Sequence, residues 1–168
     1  MTDWSGIAVI APAWTPVAAR LVSRGREMAN SLGCYLRVVT EAAHVAEAGA
    51  AGADEVLTSD DICAGKLDPW IRSATPEALL LEDTPHCARI AGRLAGIFVA
   101  PILAGVVSVD FDLNERLLLM RIETFGGRQL EEWAAIPEAK PVFALVKAER
   151  LPEPMPGYGR EPEVRPLS

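Results

Sequence analysis

Few folds accommodate the stretch Glu77–Gly96, EALLLEDTPHCARIAGRLAG. Ala78-Leu79-Leu80-Leu81 is an uninterrupted apolar run, short enough for a strand buried on both faces. Asp83-Thr84-Pro85 follow without a gap and read as a helix start. Thr84 caps the first free amides, and Pro85 stands where a missing N–H costs nothing. The residues after it place Ile90, Ala91, Leu94 and Ala95 on one side and Arg89 and Arg93 towards the other, with Gly96 positioned to end the helix. A buried strand turning sharply into an amphipathic helix is half of a βαβ unit, which predicts a parallel sheet.

The chain upstream repeats this grammar. Gly6–Ala11 is a buried strand ended by Pro12, and Thr15-Pro16 repeat the cap-plus-proline start. From Pro16 to Leu32, Val17, Leu21, Met28 and Leu32 recur at helical spacing, and Gly33 closes that helix. Tyr35–Val39 is the second strand, an alanine-rich helix covers roughly residues 42–51, and Glu55–Leu57 is a short third strand. A modest helix around Leu67–Ser73 stops at Pro76. Helices therefore fall on both faces of a parallel sheet, a three-layer α/β/α sandwich.

After Pro101 the pattern changes. Ile102–Asp112, Leu117–Phe125, Arg128–Ala135 and Val142–Lys147 follow one another without helices, with Gly126-Gly127 suited to a hairpin loop. Antiparallel strands added to the sheet are the expectation. Residues 1–150 thus read as one α/β domain, and residues 151–168, with five prolines, as an extended tail without a core of its own.

The charge balance narrows the function classes. A formal charge of −7 disfavours wrapping around nucleic acid, which needs clustered Lys and Arg. Asp3 and Pro12 interrupt any signal-like N-terminus, and no apolar run reaches the roughly 18 residues of a membrane span. A cytoplasmic location without membrane contact is expected. Cys34, Cys63 and Cys87 fall at no metal-like spacing and read as small buried residues.

In an open parallel sheet, ligands bind beyond the carboxyl ends of the strands, where the strand order reverses. Two loops qualify: Pro12–Thr15 and Glu82–His86, each leading to a helix N-terminus suited to an anion. Trp14 would stack on a base, with Thr15, Asp83, Thr84 and His86 around a nucleotide phosphate. A plain structural role, two caps and a packed indole, is the favoured reading of these threonines and Trp14, because caps are ordinary. His86 sits in a first helical turn whose dipole favours its neutral form, and without a nucleophile beside it in sequence it reads as a surface histidine. His44 reads as solvated, and Asp60-Asp61 as a turn and helix cap rather than a calcium loop. Arg116, Arg121 and Arg128 suit either a basic patch or the exposed side of hairpins. Neither a phosphate loop nor a Gly-x-Gly-x-x-Gly fingerprint is present, and no nucleophile elbow or His-Glu-x-x-His motif occurs.

The runs Gly52–Leu57, Pro76–Leu81, Ala91–Ala95, Ala100–Leu103 leading to Val106–Val109, and Phe125-Gly126-Gly127 together resemble the N-terminal domain of the electron transfer flavoprotein alpha subunit. The likeness spans approximately residues 5–150. It implies an adenine nucleotide alpha hydrolase-like sandwich, also used by universal stress proteins, in a protein that shuttles electrons rather than converting a bound substrate. The family implies FAD, held mostly by a separate C-terminal domain; here a proline-rich stretch stands instead, so a module lacking that domain is the expectation. AMP is the other nucleotide the family implies, and no metal is expected. Where the family commonly has Tyr-(Gly/Ala)-Gly-Asn, this chain has Phe125-Gly126-Gly127-Arg128, a candidate interface with a redox partner or a second copy. The alternative is an adenine-nucleotide-binding regulator resembling universal stress proteins.

Overall fold

The computed structural model of the chain describes residues 4–168; Asp3 lies outside them. Among the described residues, a nine-stranded, mostly parallel sheet carries four α-helices. The strands are β1 (Ile7–Ile10), β2 (Leu36–Thr40), β3 (Glu55–Thr58), β4 (Ala78–Glu82), β5 (Ile102–Asp112), β6 (Leu117–Thr124), β7 (Gln129–Ala134), β8 (Val142–Val146) and β9 (Glu163–Pro166). The helices are α1 (Ala18–Leu32), α2 (Val45–Ala50), α3 (Ala64–Ala74) and α4 (Pro85–Phe98). Across the sheet the order is β7-β6-β5-β8-β4-β1-β2-β3-β9.

The period of two along each strand sorts the core into two layers. Ile7 and Val9 of β1 join Leu80 of β4 and Leu21, Val22 and Met28 of α1 on one face. Ala8 and Ile10 join Leu79 and Leu81 with Leu67 and Ile71 of α3 and Ile90 and Leu94 of α4 on the other. The apolar run Ala78–Leu81 is buried throughout, as a strand covered on both sides must be.

Local signals hold at α4 and fail elsewhere for identifiable reasons. Thr84 caps α4, its Oγ1 accepting from Cys87 N at 3.2 Å, and Pro85 takes the first position. Gly96 does not end the helix. It continues to Phe98, whose ring meets Trp4 edge-on at 6.1 Å and carries the Arg72 guanidinium 4.8 Å from its centroid. The left-handed residue that closes α4 is then Val99, at φ 50°, an uncommon conformation for a β-branched side chain. The cap of α3 is Cys63, with no side-chain bond, so Asp60-Asp61 form a turn but not the cap.

The C-terminal third departs furthest from the antiparallel expectation. Only β6 runs against its neighbours, β5 and β7; β8 inserts between β4 and β5, parallel to both. Residues 125–128 connect β6 and β7 as a hairpin, and Phe125, Gly126 and Gly127 adopt the positive φ angles (50°, 66° and 84°) that the glycine pair was expected to supply.

The proline-rich stretch 151–168 returns to the body and supplies β9, parallel to β3. Arg160 N donates to Gly49 O at 2.9 Å, and its guanidinium meets Asp54 at 2.7 Å. Asp54 also pairs with the buried Arg26 and accepts Leu36 N at 2.8 Å. Gly49 permits this close approach, because a Cβ there would lie 2.7 Å from Arg160 O and from Pro162 Cδ. Gly49→Ala is therefore expected to lift the strap, read as faster proteolysis within residues 151–162 while β1–β4 stay protected.

Burial pushes the Asp54 carboxyl upward, but the Leu36 N–H, the Arg26 guanidinium and the charge of Arg160 outweigh it and hold the carboxyl below the usual aspartate range. As pH falls, the unfolded chain takes up this proton first, so the stabilisation is full above the ordinary aspartate pKa and drains away below it. The urea-midpoint gap between wild type and Asp54→Asn is expected to be wide at about pH 6 and to narrow at about pH 3.

Candidate functional site

Strand order reverses at β1: β2 and β3 lie on one side of it, β4 and β8 on the other. Beyond the carboxyl ends of β1 and β4, where the loops diverge to opposite faces, a crevice opens. Its lining includes Ala11, Pro12, Thr15, Leu21, Glu82 and His86. The two loops singled out from the sequence therefore do meet.

Their side chains are committed differently from what the sequence suggests. Thr15 does not cap α1; the N-cap is Val17, without a side-chain bond. The Thr15 hydroxyl instead donates to Glu82 Oε2 at 2.7 Å, tying the β1 loop to the end of β4. Asp83 turns to the β5 backbone, where its Oδ2 accepts Gly105 N at 2.9 Å. Thr84 is spent on the cap. Trp14 packs against the α1-side core and stacks on His44, ring centroids 5.9 Å apart and planes 15° apart, so His44 is half-buried rather than solvated. His86 is exposed at the crevice wall.

Size and charge define what such a site accepts. The cavity holds about 70 Å³, well under the roughly 300 Å³ at which small-molecule sites begin. Its walls are mostly apolar, with the Glu82 carboxylate on them. Pro85 has no amide to offer and Thr84 uses that of Cys87, so His86 keeps the single uncommitted first-turn N–H of α4 among the described residues. A carboxylate beside one free amide is a poor phosphate cradle and a better seat for an N–H donor. Cys87 is buried next to the crevice, and burial foremost pushes its thiol above the ordinary range, so it stays protonated and unreactive at neutral pH. Among the described residues no group of three or more His, Cys, Asp or Glu is placed to hold a metal ion. No helix among them is long and apolar enough to cross a membrane.

The second candidate region lies on the far side of the sheet. Phe125, at φ 50° and 74% exposed, opens the turn that continues through Gly126 and Gly127 to Arg128. All six residues of β7 are exposed. Leu130 (63% exposed), Trp133 (51%) and, just beyond the strand, Ile136 (63%) form a run of large apolar side chains on this edge. The sequence singles out Phe125–Arg128 rather than these three, because in a strand a spacing of three sets Leu130 and Trp133 on opposite faces and leaves no alternating apolar stripe to read.

The threonine cap at the crevice is a measurable contributor. Thr84→Ala is expected to cost about 1 kcal/mol of unfolding free energy, and Thr84→Ser to recover most of it in the same denaturant titration.

No family model matches the sequence, and no curated protein matches it.

Proposed function

We propose that the chain is a non-catalytic docking module, of the kind its resemblance to the electron transfer flavoprotein alpha subunit implies, and that the β6–β7 ribbon is its docking element. The observation that carries this reading is the exposed β7 edge with Leu130, Trp133, Ile136 and Phe125 on or beside it. Exposed large apolar side chains concentrated on an edge strand are an aggregation liability unless something covers them. The one cysteine of the crevice lining is buried and held as the thiol, so it is not an activated nucleophile. The fold belongs with the adenine nucleotide alpha hydrolase-like sandwiches on this reading, and any flavin is shared with, or supplied by, the docked partner.

One observation favours a second reading, an adenine-nucleotide-binding regulator resembling universal stress proteins: the crevice sits at the strand reversal. Glu82 then receives the amino edge of the base, and the phosphates lie outside the cavity. Calorimetry with AMP, ATP and FAD decides it, and no heat with any of the three removes it.

The docking reading is tested by light scattering on freshly purified protein. Wild type is expected as an assembly, with itself or with a retained protein, and the double variant Leu130→Asp/Ile136→Asp as a monomer with unchanged circular dichroism. A wild type that runs as a monomer and retains no partner overturns it.

A further inference from the structure

The two edges of the sheet are built differently. In β9, Glu163 N donates to Asp54 O and Leu167 N to Thr58 O, so odd-numbered residues face β3 and even-numbered ones face outward. The outward positions are Pro162, Val164 and Pro166, and two of these three have no N–H to offer. That edge is closed to further strands. In β7, Ala135 N donates to Leu118 O in continuous register with β6, so the N–H and C=O groups of Leu130, Glu132 and Ala134 face outward. This edge carries no proline.

Resting on the docking reading above, we infer that the occupant of this edge is a second copy of the chain, paired antiparallel with β7 about a two-fold axis at Trp133. The choice of occupant follows from the edge's own sequence. Antiparallel pairing through the outward groups admits only registers in which even-numbered residues face even-numbered ones. Centring on Glu131 or Glu132 sets like carboxylates directly opposite, which is destabilising; centring on Leu130 leaves Trp133 against Gly127, and centring on Ala134 sets Glu132 against Ile136. Centring on Trp133 sets Trp133 against its own copy, Leu130 against Ile136, Glu131 against Ala135 and Glu132 against Ala134. Each large apolar side chain of the edge meets another, and no acid faces an acid. The same register carries Arg128 towards Glu138 of the second copy. Glu132 keeps its intrachain partner Arg121 at 2.8 Å. Because the opposite edge is closed by Pro162 and Pro166, the pairing ends at two chains rather than propagating as a filament.

Engineered cysteines report the register. Trp133 and its copy form a non-hydrogen-bonded pair, with Cα atoms about 4.5 Å apart, inside the span a disulfide bridges. Under oxidised glutathione, W133C is expected to run mostly as a disulfide-linked dimer on non-reducing gels. E132C, facing Ala134, is expected to stay as single chains, and wild type run alongside accounts for Cys34, Cys63 and Cys87. A134P, which blocks an outward N–H without touching the bonds to β6, is expected to halve the mass seen by light scattering. Linkage of E132C in place of W133C overturns the inference and leaves docking at the ribbon standing. So does a wild-type assembly in which W133C does not link and A134P leaves the mass unchanged: the occupant is then a different protein. A wild type that is a monomer without a retained partner removes the inference and the docking reading together.

Discussion

The insertion of β8 between β4 and β5 determines the shape of everything after residue 98. β8 pairs with β4 from Ala78↔Val142 to Glu82↔Val146 and with β5 through Ile102↔Phe143 and Leu103↔Ala144. All five of its residues are buried. A strand with both edges paired and both faces covered satisfies its backbone groups completely, so it supplies the strongest reason for the chain to return to the centre of the sheet. To leave that slot open, the chain must first run outward through β5, β6 and β7. The exposed ribbon is the excursion that this return requires. Its reach is set by β5, which spends its first residues against β8 and its last, from Val106 to Asp112, against β6.

The entry to β8 is secured electrostatically. Glu77, almost wholly buried, accepts Lys140 Nζ at 2.8 Å, and Arg116 from the β5–β6 turn stands 3.8 Å away. Val142 N donates to Glu77 O, so backbone and side chain of one residue hold the incoming strand. At the opposite flank, the Arg26–Asp54–Arg160 group performs a similar task for the returning strap. Both clusters lie away from the crevice, and both join segments far apart in sequence. Charge in this acidic chain is used to close long loops, where the neutral core alone leaves the geometry of the ends undetermined.

Legibility in the sequence followed the range of the interactions. Strand β4, the Thr84-Pro85 start of α4 and the three-layer α/β/α sandwich are visible because they rest on contacts within a few residues or on a short period. The meeting of the β1 and β4 loops is visible too, since the reversal follows from the alternating order of elements. Where a distant partner competes for a local group, the reading fails. Thr15 has the composition of a cap, but Glu82, 67 residues away, takes its hydroxyl. Gly96 is a natural stop that Phe98 overrides through Trp4 and Arg72. The parallel placement of β8 has no local signature, because a buried strand looks the same whichever way its neighbours run. Strand β9 is hidden by its prolines, which argue against a strand until its edge position is known.

Asp83 joins the two candidate surfaces. Its carboxylate holds Gly105 N, and Gly105, at φ 69°, lies where β5 shifts register against β8, between Leu103 and Val106. A left-handed backbone at that point is accessible to glycine at little cost. The crevice loop therefore grips the root of the projecting arm, like a pin through the base of a lever. One turn thus borders the crevice with Glu82 and Thr84 and braces the base of the arm with Asp83, so the two surfaces share a single anchor.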